Sequence, residues 1–260
     1  MIPAFVISLA EATDRRERIS QLFEEIGLEF KFFDAVDGRQ FNVLEQPIYD
    51  FDKRLKCFGK HLTGGEIGCL LSHKNIYQHI VENNIDRALV FEDDVILQPD
   101  FKAVLKDILS CDVEYDMVRF LGSPKLERLK MRAVYNLDGT HHLTRHTGMP
   151  GGTHATLVTL QGAKKILTHL EKTAFPIDAL LGRSWETGLN WYTVRPGLAS
   201  QDLSFDSMIG NDVRFDEKKD ITGFNKALFP ITRGLFKLSE TIGKKYWYYS
   251  KYSKDKSYGR

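Results

Sequence analysis

Apolar and polar residues alternate along the first part of the chain in a way that predicts a strand, a helix and a second strand. Residues 4–9 (AFVISL) and 29–33 (EFKFF) are short apolar runs typical of buried strands. Between them, apolar residues recur at helical spacings of three and four: Ile19, Leu22, Phe23 and Ile26. Asp14 and Glu17 fit an N-terminal capping box, and Gly27 fits a helix stop. This order predicts a parallel α/β sheet.

Further strands and helices follow in the same alternation. The pattern predicts helices over about 66–83, from 99 onward and over 161–172, strands over 87–92 and 116–121, and short antiparallel strands between 132 and 160. Residues 39–63 have no clear period and are interpreted as an irregular loop that could cover a site. A chain of 260 residues fits one Rossmann-like α/β domain with a short appendage.

Composition and charge are those of an ordinary globular protein. Hydrophobic residues make up 42% of the chain and the formal net charge is +1, so nucleic acid is not an expected partner. Cys57, Cys69 and Cys111 are too widely spaced for a zinc motif and odd in number for a disulfide framework. The start lacks a signal-peptide pattern, and no run approaches the roughly 20 apolar residues of a membrane span. We therefore expect a cytoplasmic protein.

The net charge hides a basic C-terminal tail, residues 226–260. The tail holds nine Lys or Arg against two acids, a net of +7 that leaves −6 for the remainder. Apolar residues recur in it at spacings of three and four: Leu228, Ile231, Leu235, Leu238 and Ile242. This amphipathic pattern, with lysines and tyrosines after it, suits the anionic inner face of the cytoplasmic membrane; packing of the stripe on the domain is the alternative. We divide the chain into a domain over 1–225 and a tail over 226–260.

Three consecutive carboxylates end the apolar run in ALVFEDDVIL: Glu92, Asp93 and Asp94. Two unit charges about 4 Å apart repel by roughly 1 kcal/mol in water and roughly 4 kcal/mol near a protein surface. Open α/β sheets bind ligands at the carboxyl ends of their strands. A hard divalent ion that shares its ligand shell with phosphate oxygens would offset the repulsion. A solvent-exposed acidic turn is the alternative.

Two other segments add candidate phosphate contacts. Arg15 and Arg16 stand at the start of the first predicted helix, where cations and free N–H groups can bind a nucleotide; a solvated helix face is the alternative. Residues 62–77 (LTGGEIGCLLSHKNIY) lead from glycines into a helix that carries His73, but they lack the GK[ST] ending of a P-loop.

Five segments occur together in order: FVISLAEATDRRERI, FFDAVDGR, LTGGEIGCLLSHKNIY, LVFEDDVIL, and GAKKIL followed by FPID. Together they resemble glycosyltransferase family 25 over roughly residues 3–210. The family includes bacterial lipopolysaccharide and lipo-oligosaccharide glycosyltransferases, many of them galactosyltransferases. The resemblance implies a single α/β domain of the GT-A fold. It also implies inverting transfer of a hexose, galactose first, from a UDP-sugar to a lipid-linked oligosaccharide acceptor.

The resemblance also implies roles for individual residues. Glu92 and Asp94 match a DxD-like motif and become candidate ligands of Mn²⁺ (or Mg²⁺), with Asp94 as the direct ligand. Asp93, like Glu92, is a candidate contact of the ribose or of a metal-bound water. The other nucleotide candidates lie near the ends of the first two strands: Ser8, Leu9, Arg15, Arg16, Ala35, Val36 and Asp37.

Inversion requires a carboxylate that takes the proton of the acceptor hydroxyl. Asp178 in FPIDALL is the first candidate, with a plain helix N-cap as its alternative role. Glu186 and Asp116 are the reserves. His154 in PGGTHATL is either a further metal ligand or a packed histidine.

The basic segment 123–150 suggests an acceptor that carries negative charge. Its candidate contacts are Lys125, Arg128, Lys130 and Arg132. Two other functions fit the same chain: a different metal-dependent nucleotide-phosphate enzyme, and a non-catalytic GT-A protein that binds a glycan or a membrane.

Overall fold

A computed structural model describes residues 2–122, 128–148, 151–202 and 220–259. The strands are β1 (Ala4–Ser8), β2 (Lys31–Asp34), β3 (Arg87–Glu92), β4 (Val95–Leu97), β5 (Met117–Arg119), β6 (Met131–Asn136), β7 (His142–His146), β8 (Ala155–Thr159), β9 (Trp191–Arg195) and β10 (Ala199–Gln201). The helices are α1 (Thr13–Ile26), α2 (Phe51–Phe58), α3 (Gly64–Glu82), α4 (Phe101–Ser110), α5 (Leu160–His169), α6 (Ile177–Leu181), α7 (Ser184–Thr187), α8 (Gly223–Ser250) and α9 (Tyr252–Tyr258).

Eight of the strands form one sheet in the order β2-β1-β3-β8-β5-β9-β7-β6. β1 pairs in parallel with β2 and β3, and β5 pairs in parallel with β9, whereas β7 and β8 run antiparallel to their neighbours. α1 and α4 cover one apolar face of the sheet, and α3 and α5 cover the other. The predicted α/β domain is confirmed, with a mixed sheet rather than a wholly parallel one.

The start of α1 differs from the prediction. A turn closed by the Ala12 N–H and the Leu9 carbonyl begins the helix at Thr13, so Asp14 is not the N-cap and forms no capping box with Glu17. The predicted stop is confirmed, because Gly27 ends α1 in the left-handed conformation. A capping box is present at α3 instead, where Thr63 and Glu66 each bond the other's backbone.

The segment predicted as an irregular loop contains α2. Asp50 caps this helix through the Lys53 N–H, and Gly59 ends it at φ 72°. Phe58 of α2 packs against Phe236 of α8 with ring centroids 5.2 Å apart. The helix was missed because its apolar partner lies far along the chain.

The carboxyl ends of β1, β2 and β3 lie side by side at one edge of the sheet. The register pairs Ser8 with Asp34 and Ile7 with Glu92. The acidic run therefore begins beside the loops that follow β1 and β2, where sheet polarity predicts a ligand.

Glycines hold the loop after β2 against the start of α3. A Cβ on Gly64 would lie 2.1 Å from the carbonyl oxygen of Gly38, and one on Gly38 would lie 2.0 Å from that of Gly64. A Cβ on Gly68 would lie 2.6 Å from the Val36 carbonyl oxygen. Backbone contact at this distance needs residues without side chains. Gly64 and Gly68 of LTGGEIG thus serve packing in this structure.

The C-terminal helices return to the domain and bind it through buried ion pairs. Glu240 of α8 lies 3.2 Å from Arg183, and Asp255 of α9 pairs with Arg132 and Arg145. The division of the chain at 225/226 stays a prediction; α8 begins at Gly223. Over the ranges described, none of the helices combines the length and apolarity that crossing a bilayer requires.

The Gly38–Gly64 contact predicts a large difference between two helical glycines. Gly64→Ala should lower the free energy of unfolding by about 2–3 kcal/mol, because its Cβ meets backbone that cannot move aside. Gly234→Ala in α8, with nothing within 4 Å of the added Cβ, should instead raise it by up to ~1 kcal/mol. Urea unfolding of both variants measures the difference, and equal effects would contradict this account of the contact.

Candidate active site

A cavity of about 160 Å³ opens at the carboxyl edge of the sheet. Parts of helices, strand ends and loops that are distant along the chain form its wall: Glu66, Cys69, Glu92, Gly152, Thr153, His154, Pro176, Ile177, Asp178 and Gln201. The cavity brings together the first candidate base, Asp178, and the first carboxylate of the acidic run, Glu92.

Asp94 is the acid of the run with the least compensation. Its Oδ2 accepts a hydrogen bond from Gln201 at 2.7 Å, whereas its buried Oδ1 has no hydrogen-bond partner among the residues described. Burial and the nearby charge of Glu92 raise the pKa of Asp94 to about 7. A buried carboxylate oxygen of this kind is suited to a cation.

Glu92 is held by two polar side chains. Its Oε1 accepts from the Thr153 hydroxyl and lies 3.2 Å from Nε2 of the buried His73. Burial opposes the charge of Glu92, but these contacts with His73 and Thr153 outweigh it and lower the pKa of the carboxyl. His73 therefore orients Glu92, a role that the sequence signalled only by placing a histidine on α3.

Cys69 shares this corner with His73 and Glu92. The potential ligand atoms of the three residues all lie within 4.8 Å of one another. Burial raises the pKa of the Cys69 thiol well above its ordinary value, so this sulfur is a weak candidate for a metal-bound thiolate.

Asp93 points away from the cavity, as strand alternation predicts. Its Oδ2 accepts from Ser8 Oγ at 2.7 Å, and its Oδ1 accepts from Arg15 Nη1 at 2.8 Å. The Arg15 and Asp93 side chains are 11% and 13% exposed. The structure thus places three predicted nucleotide contacts in one buried cluster that joins the end of β3 to β1 and α1.

The remaining nucleotide candidates surround the turn after β1. Arg16 donates to the carbonyls of Ser8 and Leu9 at 2.9 and 3.1 Å and pairs with Asp34, so its side chain braces the strand ends. The Ala35 N–H donates to the Ser8 carbonyl at 2.9 Å.

The last two nucleotide candidates, Val36 and Asp37, lie in the loop that follows β2. The Val36 N–H donates to Ser72 Oγ at 2.8 Å. Asp37 is bound by the Arg39 side chain and backbone, which lower its pKa to about 2. Both residues follow β2, and β1 lies between that strand and β3 in the sheet.

Asp178 lies in the first turn of α6, whose N-cap is Pro176, so the alternative role as an N-cap does not apply. Its Oδ1 accepts from the Ala179 N–H at 2.7 Å. Its Oδ2 has a longer contact, 3.4 Å, from the Gly152 N–H. One carboxylate oxygen is therefore fixed by its own helix, and the other faces the cavity with a weaker partner.

A buried arginine underlies the same wall and was not recognised from the sequence. Arg119, at the end of β5, donates to the Gly152 carbonyl. Burial lowers its pKa to about 10, which leaves it protonated at neutral pH. Its Nε and Nη1 have no hydrogen-bond partner within the described ranges. The positive charge beneath Gly152 offsets the acids that line the cavity.

The reserve bases are engaged elsewhere. Glu186 is bound by two nitrogens of Arg183, at 2.8 and 2.6 Å. Asp116 stands at the opposite edge of the sheet, where Lys165 and the Asn190 N–H bind it at 2.6 and 2.7 Å. Neither residue lines the cavity with Asp178.

The donor chemistry at this edge suits a hard divalent cation, although Asp94 and His154 do not belong to the group of clustered ligand atoms that Cys69, His73 and Glu92 form. Besides Asp94 Oδ1, the buried Nε2 of His154 lacks a hydrogen-bond partner in the part of the chain described, and burial lowers the pKa of this imidazole. Carboxylate oxygens with one neutral imidazole suit Mn²⁺, and carboxylate oxygens suit Mg²⁺. His154 was predicted either as a ligand or as a packed histidine, and its unpartnered nitrogen keeps the ligand role open.

The Asp93 cluster predicts unequal effects for two arginines. Arg15→Met should lower the free energy of unfolding by about 3 kcal/mol, because it leaves a buried carboxylate with one neutral partner. Arg39→Met removes an exposed ion pair with Asp37 and should change the free energy of unfolding far less than Arg15→Met does. Chemical denaturation measures both; similar small losses would show that the Arg15–Asp93 pair does not hold the site.

Comparisons with known proteins identify the family. A solved "glycosyltransferase involved in the glycosylation of the major capsid of PBCV-1" is 13% identical and covers 79% of this chain and 94% of its own, but at a TM-score of 0.37 the likeness carries no weight. A "Glycosyltransferase 25 family member" of Drosophila melanogaster is 34% identical over 188 residues, which are 68% of this chain and 28% of that protein. A "Probable inactive glycosyltransferase 25 family member 3" of Bos taurus is 31% identical over 219 residues, 75% of this chain and 36% of that protein.

This chain therefore spans about a third of the length of these curated relatives. The model of "Glycosyltransferase family 25 (LPS biosynthesis protein)" matches residues 1–181, well over half of the chain. The chain belongs to glycosyltransferase family 25.

Proposed function

We propose that this protein is an active, inverting and metal-dependent glycosyltransferase. It would transfer a hexose, galactose first, from a UDP-hexose to a lipopolysaccharide- or lipo-oligosaccharide-type acceptor. The observation that supports this most directly is the buried, unpartnered Oδ1 of Asp94 at the strand edge where Glu92 and Asp178 share a cavity. Family membership supports the transferase class, and the donor and acceptor are part of the proposal.

The acidic edge is the proposed place of the donor diphosphate. Asp94 Oδ1 and Glu92 would hold Mn²⁺ or Mg²⁺, with His154 Nε2 as a third donor atom. When bound, the cation supplies positive charge to the leaving diphosphate. His73 and Thr153 keep Glu92 ionised and oriented in advance.

The nucleoside would lie over the loops that follow β1 and β2. Arg15, Ser8 and Asp93 are engaged with one another, so we propose that they shape this surface rather than contact the nucleotide directly. Val36 and Asp37 remain the proposed contacts of the uridine, since the Gly38–Gly64 contact fixes the adjoining backbone against α3.

Asp178 is the proposed general base. Its Oδ2 would take the proton of the acceptor hydroxyl as the oxygen of that hydroxyl bonds to the anomeric carbon. The bond between the anomeric carbon and the diphosphate breaks with its electron pair leaving on UDP. The helix fixes the other oxygen, Oδ1, through the Ala179 N–H, which keeps the carboxylate aimed at the cavity.

A second cavity, of about 280 Å³, adjoins the first and is proposed for the acceptor. The two cavities share Glu66 and Pro176, and the second is also lined by Arg54, Lys60 and His61. Cationic walls suit an acceptor sugar that carries phosphate or carboxylate groups. A lipid-linked acceptor of this class would place the enzyme at the cytoplasmic face of a membrane.

Of the four basic residues predicted to contact the acceptor, two contact the C-terminal helices instead. Lys130 donates to the Tyr249 hydroxyl at 2.9 Å, and Arg132 pairs with Asp255, so both contact the C-terminal helices. Arg128 is exposed, and Lys125 lies outside the described residues.

The inactive relatives make a non-catalytic glycan- or membrane-binding protein the main alternative. Another metal-dependent nucleotide-phosphate enzyme is the second alternative, and its product would be diphosphate rather than UDP. The buried Oδ1 of Asp94 has no hydrogen-bond partner among the residues described. Burying an unpartnered carboxylate oxygen costs free energy, and a protein that only binds a glycan gains nothing from that cost, so this oxygen favours catalysis.

The metal and donor assignment predicts UDP release that depends on Asp94. UDP-galactose, UDP-glucose and their N-acetyl forms would each be tested with Mn²⁺ or EDTA. We expect release from one donor, abolished by EDTA and reduced about 100-fold or more in Asp94→Ala. UDP that binds with Mn²⁺ but is never released from any donor, even with lipo-oligosaccharide present, would favour the non-catalytic alternative.

The base assignment predicts different results for two carboxylates. Asp178→Asn should lower kcat by about 10²–10⁴-fold with little change in UDP binding, because the amide cannot accept the proton. Glu186→Gln, which alters the Arg183 pair outside the cavity, should retain most activity. If Glu186→Gln removes turnover and Asp178→Asn keeps it, the base is Glu186.

A further inference from the structure

The outer face of α8 is apolar and uncovered by the rest of the described chain. Ile231, Leu235, Leu238 and Ile242 are 62%, 64%, 57% and 59% exposed. Residues spaced by three and four lie on one face of a helix, so these side chains form a continuous stripe. We call them, with Leu228, Tyr246 and Tyr249, the outer stripe. The alternative that this stripe packs on the domain is wrong in this structure.

A different face of α8 attaches the helix to the domain. Phe236 stacks on Phe175 with ring centroids 6.0 Å apart, and Glu240 pairs with Arg183. A Cβ on Gly243 would lie 2.3 Å from Trp185, so the helix backbone approaches the domain closely there. Tyr249, at the end of the outer stripe, accepts a hydrogen bond from Lys130 of the domain at 2.9 Å. The contacts of Phe236, Glu240 and Gly243 involve none of the four exposed aliphatic side chains of the stripe.

Both acidic residues of the tail are turned inward. Glu240 is 5% exposed and binds Arg183 and Lys244, and Asp255 is 1% exposed and binds Arg132 and Arg145. The domain therefore neutralises the only two carboxylates that the tail carries among its nine basic residues. Over residues 226–259, the charged side chains that the tail presents to solvent are cationic.

We propose that the outer stripe binds the surface of an anionic lipid bilayer, with α8 lying in the plane of the interface. The apolar side chains would enter the boundary between headgroups and acyl chains. Lys226 and Lys245, which are exposed on the same helix, would contact the anionic headgroups. Tyr246, Tyr249 and Tyr252 are more than half exposed and place amphipathic rings at the end of the stripe.

Charge favours an anionic bilayer over a second copy of the chain as the partner of the outer stripe. A helix pair formed by two outer stripes would bring the lysines of both copies together. Glu240 and Asp255 are only 5% and 1% exposed, so neither carboxylate can reach the lysines of a second copy. Coiled-coil pairs depend on acids and bases that alternate beside the apolar seam. An anionic bilayer supplies the missing negative charge.

Vesicle co-sedimentation of the full chain tests the proposal. Vesicles of phosphatidylglycerol mixed with phosphatidylcholine should pellet the protein, and vesicles of phosphatidylcholine alone should pellet far less. A triple variant, Ile231→Ser, Leu235→Ser and Ile242→Ser, should bind the anionic vesicles at least about tenfold less tightly. Lys226→Gln and Lys245→Gln should each weaken binding about fivefold, and high salt should weaken it in the wild type.

Matched controls separate the stripe from exposed apolar residues in general. Leu44→Ser and Met131→Ser remove side chains that are 49% and 43% exposed on the domain, and they should leave vesicle binding unchanged. The unfolding midpoint of the stripe variant should equal that of the wild type, since the replaced side chains are exposed. Vesicle binding needs no donor sugar, so its result is independent of the proposed transferase activity.

Two outcomes would overturn the proposal. One is equal binding of the wild type and the stripe variant to anionic vesicles. The other is a wild type that ignores the vesicles and is dimeric by light scattering, with a monomeric stripe variant, which would make the outer stripe an interface between copies.

Discussion

The site depends on one electrostatic constraint: three adjacent carboxylates at the end of a buried strand must each be compensated differently. Asp93 turns to the far side of the strand and is neutralised by Arg15, and Glu92 is held by His73. Asp94 keeps one buried oxygen without a partner within the described chain, and burial raises its pKa to about 7. Since like charges this close repel by up to several kcal/mol, the unpartnered oxygen marks where a cation would stabilise the edge most.

The rest of the site is arranged to keep that edge rigid. The Gly38–Gly64 contact locks the loop after β2 against α3, the helix that also supplies His73. On the opposite wall, Arg119 holds the carbonyl of Gly152, whose N–H contacts the proposed base. Backbone contacts and a buried cation thus position the carboxylates from both sides, which is the preorganisation that charge stabilisation in a transferase requires.

The same division between compensated and uncompensated charge recurs in the tail. Its two carboxylates are used inside, against arginines of the domain, and they attach α8 and α9. What remains outside is an apolar stripe beside lysines, a surface with no complement on the described domain. The proposed acceptor cavity and the outer stripe belong to one chain, so a lipid-linked sugar and its membrane could be engaged together.

Local pattern in the sequence determined the order of most strands and helices, and strand polarity placed the acidic run at the ligand-binding edge. Periodicity also identified the amphipathic tail helix, because spacing alone defines its apolar face. Only the tertiary structure decided which acid is neutralised, since Ser8 and Arg15 reach Asp93 from 85 and 78 residues away. It also decided that α2 is a helix and that the tail stripe faces outward. These outcomes depend on contacts between distant segments, and no local period encodes which surface another segment will cover.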